Sequence, residues 1–494
     1  MLRFSRVISF ALSILILATT LLGCQTDVGG SKIIYETEAP HTATQEYIDS
    51  LTGVGRIMYE RSLVRDGVPR LDFDGETFAV IIPEGSIDDW RPEEMSSDQL
   101  SSALYETCEY VEERLGVKLI FSDEASDEEV DDLISTGDDT YSVVVKSYNK
   151  IGQLAMENRL RDWETIPYMN LDAAWWNQSA REAVSVLGRT YMMVGASCVQ
   201  EVRVTYCVYY NKTLAEQYKS VLPNLYDLVY KGQWTLDKFI EVSRVGYRDL
   251  NGNTRKDPND QFGLAGQTTS YAVPFLYSCG EMTTQRDSDG IPYIHMNTEK
   301  VVSIVEKVYS LIYEDKATWP TRDWSTHSDI FADGRALFMY GTFAHALSGY
   351  FDEMEDVYGF LPYPKYDELQ KDYHTITDPS GSTFGILLHC PNDEVLGAVM
   401  EVMNARAWQQ VQPALYDAAL KGRSADAPED GDMLDIINRG VVYDFGYVYG
   451  GPGELLSKMM NHKTKDYASQ YAQRIRGWEN NINTAVDAII NSEW

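Results

Sequence analysis

The segment FAVIIPEG, residues 78–85, decides the fold, because a short run typical of a buried strand is stopped at once by proline and glycine. An amphipathic stretch over residues 97–115 follows and ends at Gly116, as helices commonly do. The alternation then repeats, with strands predicted over 117–121 and 141–145 and helices over 126–134 and 148–158. Strands that alternate with helices predict a parallel sheet covered by helices, which is an α/β fold.

The N-terminus carries the features of an export signal. Basic residues Arg3 and Arg6 precede an apolar run, residues 7–22, which is short for a membrane span of about 20 apolar residues. The run ends in Leu-Leu-Gly followed by Cys24, which resembles the lipobox of bacterial lipoproteins. This resemblance implies a signal peptide over 1–23, lipid on Cys24, a tether over 24–73 and a position on the extracellular face of the cell membrane. An ordinary signal peptide or an uncleaved anchor are the alternatives.

Composition excludes several classes of partner. The net charge of −33 repels nucleic acid phosphates and argues against docking on anionic lipid, so we expect membrane attachment through the lipid anchor only. Aromatic residues make up 12% of the chain, and tyrosine and tryptophan rings suit wet binding surfaces. Of six cysteines, the five after Cys24 form no CxxC motif, so no zinc site or disulfide framework is predicted. A single bridge between Cys198 and Cys207 stays open.

Motifs of catalysis are missing from the sequence. It contains no HExxH, no GxSxG, no Walker loop and no GxGxxG. We therefore predict that the protein is not an enzyme and needs no catalytic cofactor. Aspartate and glutamate are so abundant that a carboxylate pair for glycoside hydrolysis is expected by chance, so an extracellular glycoside hydrolase remains an alternative.

Five short blocks, in a fixed order, carry a resemblance to a known family. They are Tyr-Tyr-Asn-Lys at 209–212, Gln-Trp-Thr at 233–235, FADGRALF at 331–338, YGFLPYPK at 358–365 and STFGI at 382–386. Together, and behind a lipobox, they resemble the family 1 extracellular solute-binding proteins, the lipoproteins that feed carbohydrate ABC importers. The resemblance extends over nearly the whole mature chain.

The family resemblance implies a two-lobe, periplasmic-binding-protein-like fold of type II, in which each lobe is a sheet flanked by helices and a hinge joins them. Residues 74–197 and 380–437 would form lobe 1, and residues 198–379 and 438–494 would form lobe 2. A carbohydrate, most simply an oligosaccharide, would bind between the lobes, which close on it. The partners implied are that ligand and an ABC transporter permease, and we expect a monomer.

A sugar site needs aromatic rings for the apolar face of the ligand and polar groups for its hydroxyls. Such mixtures follow the predicted strands, where loops meet the cleft of an α/β fold. For each ring, packing within its own lobe is the alternative. The predicted ligand-binding residues are Asp88, Trp90, Tyr148, Asn149, Trp175, Trp176, Glu201, Arg203, Thr342 and Phe343.

A twelve-residue loop, 249–260, has oxygen side chains at positions 1, 3, 5 and 12, which is the calcium pattern of EF-hand loops. The predicted ligands are Asp249, Asn251, Asn253, the carbonyl of Arg255, and Asp260, with Asp257 placed to act through water. Thr254 stands where such loops have glycine, and Asp260 stands where they have glutamate, which favours a weak structural site. Similar loops occur in the family. A polar turn without metal is the alternative.

Two further functions remain open from the sequence. One is a surface lipoprotein that keeps the fold but senses or scaffolds instead of transporting. The other is a transport receptor whose ligand is a peptide or another polar solute.

Overall fold

The structure is a computed structural model that describes residues 53–123, 125–421 and 428–492. The predicted signal peptide 1–23, the lipidation site Cys24 and much of the predicted tether lie outside the described residues. Within the described ranges, every helix is too short or too polar to cross a lipid bilayer.

The strands, in chain order, are short and lie between helices for most of the chain. They are β1 (Glu76–Ile81), β2 (Val117–Ser122), β3 (Val143–Ser147), β4 (Leu160–Arg161), β5 (Tyr206–Asn211), β6 (Phe262–Gln267), β7 (Thr284–Arg286), β8 (Pro292–Ile294), β9 (Thr318–Thr321), β10 (Ala336–Thr342), β11 (Tyr358–Leu361) and β12 (Ser382–Leu387).

The helices range from single turns to one long C-terminal helix. They are α1 (Gly53–Ser62), α2 (Gln99–Leu115), α3 (Asp127–Thr136), α4 (Tyr148–Met156), α5 (Gln178–Val184), α6 (Val199–Arg203), α7 (Lys212–Gln217), α8 (Leu225–Tyr230), α9 (Leu236–Ser243), α10 (Pro274–Ser278), α11 (Glu299–Tyr309), α12 (Trp324–Ala332), α13 (Ala344–Leu347), α14 (Asp393–Gln409), α15 (Val411–Lys421), α16 (Pro428–Arg439), α17 (Phe445–Val448), α18 (Leu455–Asn461) and α19 (Tyr467–Asn491).

The first sheet has the strand order β2-β1-β3-β12-β4. Strands β1, β2 and β3 are parallel, as the alternating sequence pattern predicts. Helix α3 begins at the predicted capping box, in which Ser126 and Glu129 bond each other's backbone N–H groups. Strand β12 arrives from far along the chain and pairs antiparallel with both β3 and β4. This sheet is therefore mixed.

The second sheet has the order β11-β5-β10-β6-β9. Strands β6, β9 and β10 are parallel, whereas β5 runs antiparallel to β10 and β11. All six residues of β5 are buried, which explains its continuous apolar and aromatic sequence. Each sheet lies in its own hydrophobic core, and the two cores are separate clusters. We call them the first lobe and the second lobe.

Three of the segments that connect the lobes lie side by side and form the structure that we call the hinge: residues 198–205, 375–381 and 440–444. The middle segment is hydrogen-bonded to both of the others. Thr205 pairs with Thr377, and Thr375 pairs with Val441. The first segment contains the short helix α6, and the other two are mostly irregular. Short segments held side by side can change their backbone angles over a few residues, as a hinge between rigid bodies requires.

The last part of the chain changes lobe more often than the predicted boundaries allow. Helix α16 packs in the second lobe through Met433 and Ile437, although residues up to 437 were assigned to lobe 1. Phe445 and Val448 then pack in the first lobe. Helix α19 contributes residues to both cores. These passages have no local signal, because an apolar helix face does not reveal which of two cores it covers.

Candidate functional site

The carboxyl ends of the parallel strands place the candidate site. Strands β1, β2 and β3 end at one edge of the first sheet, and β6, β9 and β10 end at one edge of the second. In open α/β sheets, ligands bind beyond the carboxyl ends of the strands. The hinge adjoins both edges, since Tyr206 opens β5 opposite Thr342 and Ser382 opens β12 opposite Ser147. Loops and hinge residues at these edges therefore make up the candidate site.

Glu201 lies at the centre of the hinge, where groups from all three segments meet. Its Oε1 accepts hydrogen bonds from the hydroxyls of Tyr148 and of Tyr443, the latter at 2.5 Å. Tyr148 also contacts the Thr377 hydroxyl at 2.5 Å. Burial raises the pKa of Glu201 to about 7. Only 5% of Glu201 is exposed, so this predicted ligand group instead holds protein segments together.

Tyr148, like Glu201, is buried at the centre of the hinge. Its ring is 1% exposed, and it lies edge-on to the ring of Tyr443, with 5.9 Å between the centroids. Helix α4 positions Tyr148 at its first residue, directly after β3, because Ser147 caps the helix. Its neighbour Asn149 is exposed on the same turn. Of the pair, Asn149 is thus the side chain that is open to solvent.

A charged pair links the hinge to the first lobe. Arg203 Nη2 lies 2.9 Å from Asp89 Oδ1, which joins the first hinge segment to the loop after β1. Burial raises the pKa of Asp89, although Arg203 acts in the opposite direction. Asp88, predicted as a ligand residue, is the exposed neighbour. Asp89 lies directly beside Asp88 in the same acidic turn but was not among the predicted ligand-binding residues.

A second polar group at the hinge was also missed. The hydroxyl of Tyr206 donates a hydrogen bond to Asp378, whose Oδ1 accepts a further one from the Ser380 hydroxyl at 2.7 Å. The Tyr271 ring lies edge-on to that of Tyr206 at 5.4 Å between centroids. Asp378 is half-buried and sits in the turn just before β12. It combines a carboxylate with the partly buried ring of Tyr271, which is the chemistry that a sugar site needs, whereas Tyr206 is fully buried and only orients the carboxylate.

The predicted stacking rings, in contrast, lie inside the lobes. Trp90 is 6% exposed and packs between Phe121 and Phe384 at 5.9 and 5.8 Å between ring centroids. Phe343 is 2% exposed and packs against Phe360. Large rings gain most from burial, so these side chains serve the cores rather than offering a face to a ligand.

The two adjacent tryptophans follow the same rule. Trp176 packs on Phe384, and its Nε1 donates to Glu401 Oε2 at 2.9 Å. Trp175 is 4% exposed and packs against Trp408. Both were predicted to contact ligand, and both instead fill the first lobe. Two neighbouring residues can face the same core here because the segment 171–176 is an irregular turn, in which strand alternation does not apply.

Thr342, at the end of β10, lies beside two buried histidines. Its carbonyl accepts a hydrogen bond from the Tyr209 hydroxyl at 2.8 Å, and His345 Nδ1 lies 3.1 Å away. His327 and His345 have ring centroids 5.7 Å apart, and both lie edge-on to Tyr271. Burial lowers the pKa of His327 to about 3 and that of His345 to about 4. Both imidazoles are therefore neutral at pH 7.

A groove of about 630 Å³ lies between the lobes, and Tyr443 of the third hinge segment is one of the residues that line it. Helix α5 and the turn at Leu187 form one wall, and Met282 and Arg286 form the other. Arg286 Nη2 donates to three carbonyls at the end of α5, those of Glu182, Ala183 and Ser185. The groove thus borders the hinge, but its walls contain none of the predicted ligand residues.

The loop 249–260 folds around its own acidic side chains. Asp249 accepts hydrogen bonds from the N–H groups of Gly252 and Thr254, both at 2.7 Å. Thr254 adopts a left-handed backbone with φ of 60°, so it makes the sharp turn that glycine makes at this position in EF-hand loops. The amides of Asn251 and Asn253 lower the pKa of Asp257 to about 2.

Other predicted ligands of this loop complete the turn. Asp260 is fully buried and accepts from the N–H of Leu250 at 3.3 Å, while Asn253 Oδ1 accepts from the N–H of Arg255 at 2.7 Å. Across the described part of the chain, no cluster of three or more His, Cys, Asp or Glu side chains is arranged to hold a metal ion. A calcium ion here would depend on amide and carbonyl oxygens as well as on carboxylates.

Comparison with known proteins gives a family and a fold. A family model described as "Bacterial extracellular solute-binding protein" matches residues 106–400. Among curated proteins, none matches the sequence.

Solved structures share the fold at low sequence identity. An ABC substrate-binding protein from Listeria monocytogenes, in complex with cycloalternan, is 14% identical with a TM-score of 0.51, covering 83% of this chain and 98% of its own. A cyclo/maltodextrin-binding protein complexed with maltotetraose is 12% identical with a TM-score of 0.54, covering 84% and 97%. The GacH receptor of Streptomyces glaucescens, solved unliganded and with acarbose, is 14% identical with a TM-score of 0.52, covering 82% and 99%. The two-lobe α/β fold predicted from the sequence is confirmed.

Proposed function

Because the chain belongs to the bacterial extracellular solute-binding proteins, we propose that it captures an oligosaccharide between its lobes and delivers it to an ABC importer. The hinge carries this proposal: three segments that lie side by side join two separate cores, and the exposed polar side chains of Asp88 and Asn149 lie on the first lobe beside them. The similar solved structures contain cycloalternan, maltotetraose or acarbose, which favours a carbohydrate of several rings.

The polar groups beside the hinge would hold the sugar hydroxyls. Asp378, the ion pair of Asp89 with Arg203, and the exposed Asp88 and Asn149 supply acceptors and donors, and charge-assisted hydrogen bonds are the strong ones. Tyr271, only partly buried beside Asp378, supplies an aromatic ring. Lobe closure would remove these groups from water and strengthen their contacts. The ligand therefore stabilises the closed state in proportion to its extra contacts there.

Thermal-shift measurements on the mature domain test the proposal. Maltotetraose, acarbose and cycloalternan form the panel, with glucose as the single-ring comparison. A ligand at one hundred times its Kd stabilises the folded state by about 2.7 kcal/mol, which is a clear rise in Tm. If the sugars leave Tm unchanged and a peptide mixture raises it, the ligand is a peptide and not a carbohydrate. Release of reducing sugar would point to the hydrolase instead.

Asp378→Asn tests the assigned position. The amide keeps the size of the side chain but loses the charge and one acceptor, so affinity should fall at least tenfold, which is about 1.4 kcal/mol. Asp139→Asn, at an exposed position after α3, is the matched control and should bind normally. Equal affinities of both variants and the parent protein would remove Asp378 from the site.

Anchoring and stoichiometry belong to the same proposal. We propose that Cys24 carries the lipid, that residues 24–73 tether the lobes to the outer face of the membrane, and that the protein acts as a monomer. Metabolic labelling with an alkynyl fatty acid should mark the parent protein and leave Cys24→Ser unlabelled. Light scattering of the mature domain should give the mass of one chain.

We also propose that the loop 249–260 binds calcium as a structural ion. Support comes from the left-handed turn at Thr254 and from the oxygen side chains of Asp249, Asn251 and Asn253 on one short loop. Calcium at ten times its Kd should stabilise the fold by about 1.4 kcal/mol. Asp249→Ala should abolish that gain, whereas Asp287→Ala, at a similar turn that binds only backbone N–H groups, should preserve it. A gain that survives Asp249→Ala would place the ion elsewhere.

A further inference from the structure

Helix α19 is a continuous helix that belongs to both lobes. Its first half packs in the second lobe through Tyr467 and Trp478, and the Tyr467 hydroxyl donates to the Met296 carbonyl at 2.6 Å. Its second half packs in the first lobe through Ile482, Val486 and Ile489. If the lobes rotate relative to each other, a rigid helix of this kind must bend or let go of one core.

A glycine lies directly before the passage of the helix from one core to the other, which falls between Trp478 in the second core and Ile482 in the first. Gly477 lies between Ile475, which packs against the second core, and Ile482, which is part of the first. A Cβ added at Gly477 would meet nothing within 4 Å, and its φ is not in the left-handed region. Neither packing nor backbone geometry therefore requires glycine at this position. Glycine is also unfavourable in a helix, because it lowers the equilibrium constant for helix formation about fivefold relative to alanine.

The residues around Gly477 weaken the same stretch further. The sequence from 479 to 484 contains three asparagines and a threonine, all poor helix formers, and it is exposed except at Ile482. Asn481 Nδ2 donates to the Gly450 carbonyl at 2.8 Å, so the side chain here is tied to the chain just after the third hinge segment. The weakest part of the helix thus coincides with the border between the lobes.

We propose that α19 bends at residues 477–484 when the lobes move, so that Gly477 is a second pivot beside the hinge. The inference rests on the proposed lobe closure around a ligand. Within this stretch Trp478 stays in the second core and Ile482 in the first, and the other side chains are exposed, so the backbone between them can bend without breaking either core. The packed halves on both sides stay rigid, and the intervening backbone hydrogen bonds open transiently.

Hydrogen exchange of the unliganded mature domain tests the inference without knowledge of the ligand. Amides of residues 478–484 should exchange faster than those of the flanking halves, 471–476 and 486–490, because local opening is confined to the bend. Gly477→Ala should slow their exchange about fivefold, from the gain in helix stability. Uniform protection along α19, or an unchanged rate in Gly477→Ala, would overturn the proposal.

A matched control separates bending from general helix stability. Gly431 also lies in a helix, α16, with nothing within 4 Å of an added Cβ, and α16 packs in the second lobe alone. Spin labels on the two lobes would report their separation. Gly477→Ala should narrow the distribution of distances, and Gly431→Ala should leave it as in the parent protein. Equal narrowing in both variants would show that helix stability, and not a pivot, sets the motion.

The same labels distinguish this inference from the proposed function. If maltotetraose closes the lobes while the amides of α19 stay uniformly protected from exchange, the proposed receptor function stands and the proposed pivot is wrong. If fast exchange is confined to residues 478–484 but no sugar changes the distance between the labels, the proposed pivot stands and the proposed carbohydrate ligand is wrong.

Discussion

Replacing Glu201 by glutamine should make the protein more stable at pH 8 and change its stability little at pH 5. The Glu201 carboxyl is buried among Tyr148, Tyr443 and Thr377, and its Oε2 has no hydrogen-bond partner in the described structure. Burial raises its pKa from an ordinary 4.5 to about 7. Glutamine resembles the protonated form, because it keeps an accepting Oε1 for the two tyrosines and carries no charge.

The sign follows from proton linkage. A carboxyl whose pKa is higher in the folded state binds its proton more tightly there, so its stabilising contribution is complete below pH 4.5 and is lost as the pH rises towards 7. Each pKa unit is worth about 1.4 kcal/mol. The rise from 4.5 to about 7 thus amounts to about 3 kcal/mol, of which about 2 to 3 kcal/mol falls between pH 5 and pH 8. The nearby charged group on another hinge segment, Asp378, acts in the same direction.

Urea unfolding of the mature domain at pH 5, 6, 7 and 8 measures the effect. The difference in unfolding free energy between Glu201→Gln and the parent protein should grow by about 2 to 3 kcal/mol across this range. Glu113→Gln, at an exposed site on α2, is the control and should follow the parent protein at every pH. Parallel curves for Glu201→Gln and the parent protein would refute the reasoning, because they would show that Glu201 does not titrate in this window.

Two further predictions concern stability and reactivity. Asp430→Ala should destabilise the protein by about 3 to 5 kcal/mol in urea unfolding, because the buried carboxylate pairs with Lys212 at 2.6 Å and the loss leaves a charge without its partner. Asp435→Ala, on the same helix but in an exposed pair with Arg439, should cost less than about 1 kcal/mol, and similar costs for both would contradict the assignment. Four cysteines, Cys108, Cys198, Cys207 and Cys279, should react with Ellman's reagent only on unfolding, since they are buried free thiols and burial raises their pKa values. Half-buried Cys390 should react first, and rapid labelling of several thiols in the native protein would contradict this.

The structure confirms those sequence predictions that depend on local patterns. The run 78–82 became β1, and the capping box at Ser126 began α3, because both depend on neighbours within a few residues. The insertion of β12 beside β3 joins residues more than two hundred positions apart, so no local pattern predicts it. The same limit applies to the packing of α16 in the second core and to the passage of α19 between the two cores.

The candidate site was predicted in position more than in detail. The segment around Glu201 and Arg203 does cross between the lobes, and Asp88 stands beside the residue that pairs with Arg203. The rings of Trp90, Trp175 and Phe343, predicted to contact a ligand, are buried in the cores, and the sequence does not separate these roles because an aromatic residue can either stack on a ligand or fill a core. Asp378 was missed because its neighbour Tyr206 becomes adjacent only through the fold.

Glu201 and Gly477 together indicate where this protein gives up stability. At position 201 a glutamine would be the more stable choice above pH 7, and at position 477 an alanine would be, since neither packing nor backbone geometry requires the residue present. The cores contain unfavourable groups of another kind, such as the buried Trp163 Nε1 and Tyr340 hydroxyl, which have no hydrogen-bond partner in the described structure. Glu201 and Gly477 both lie on the border between the lobes. Residues that break a local rule without a packing reason tend to mark functional positions, and these two lie at the hinge and at the pivot that we propose for lobe movement.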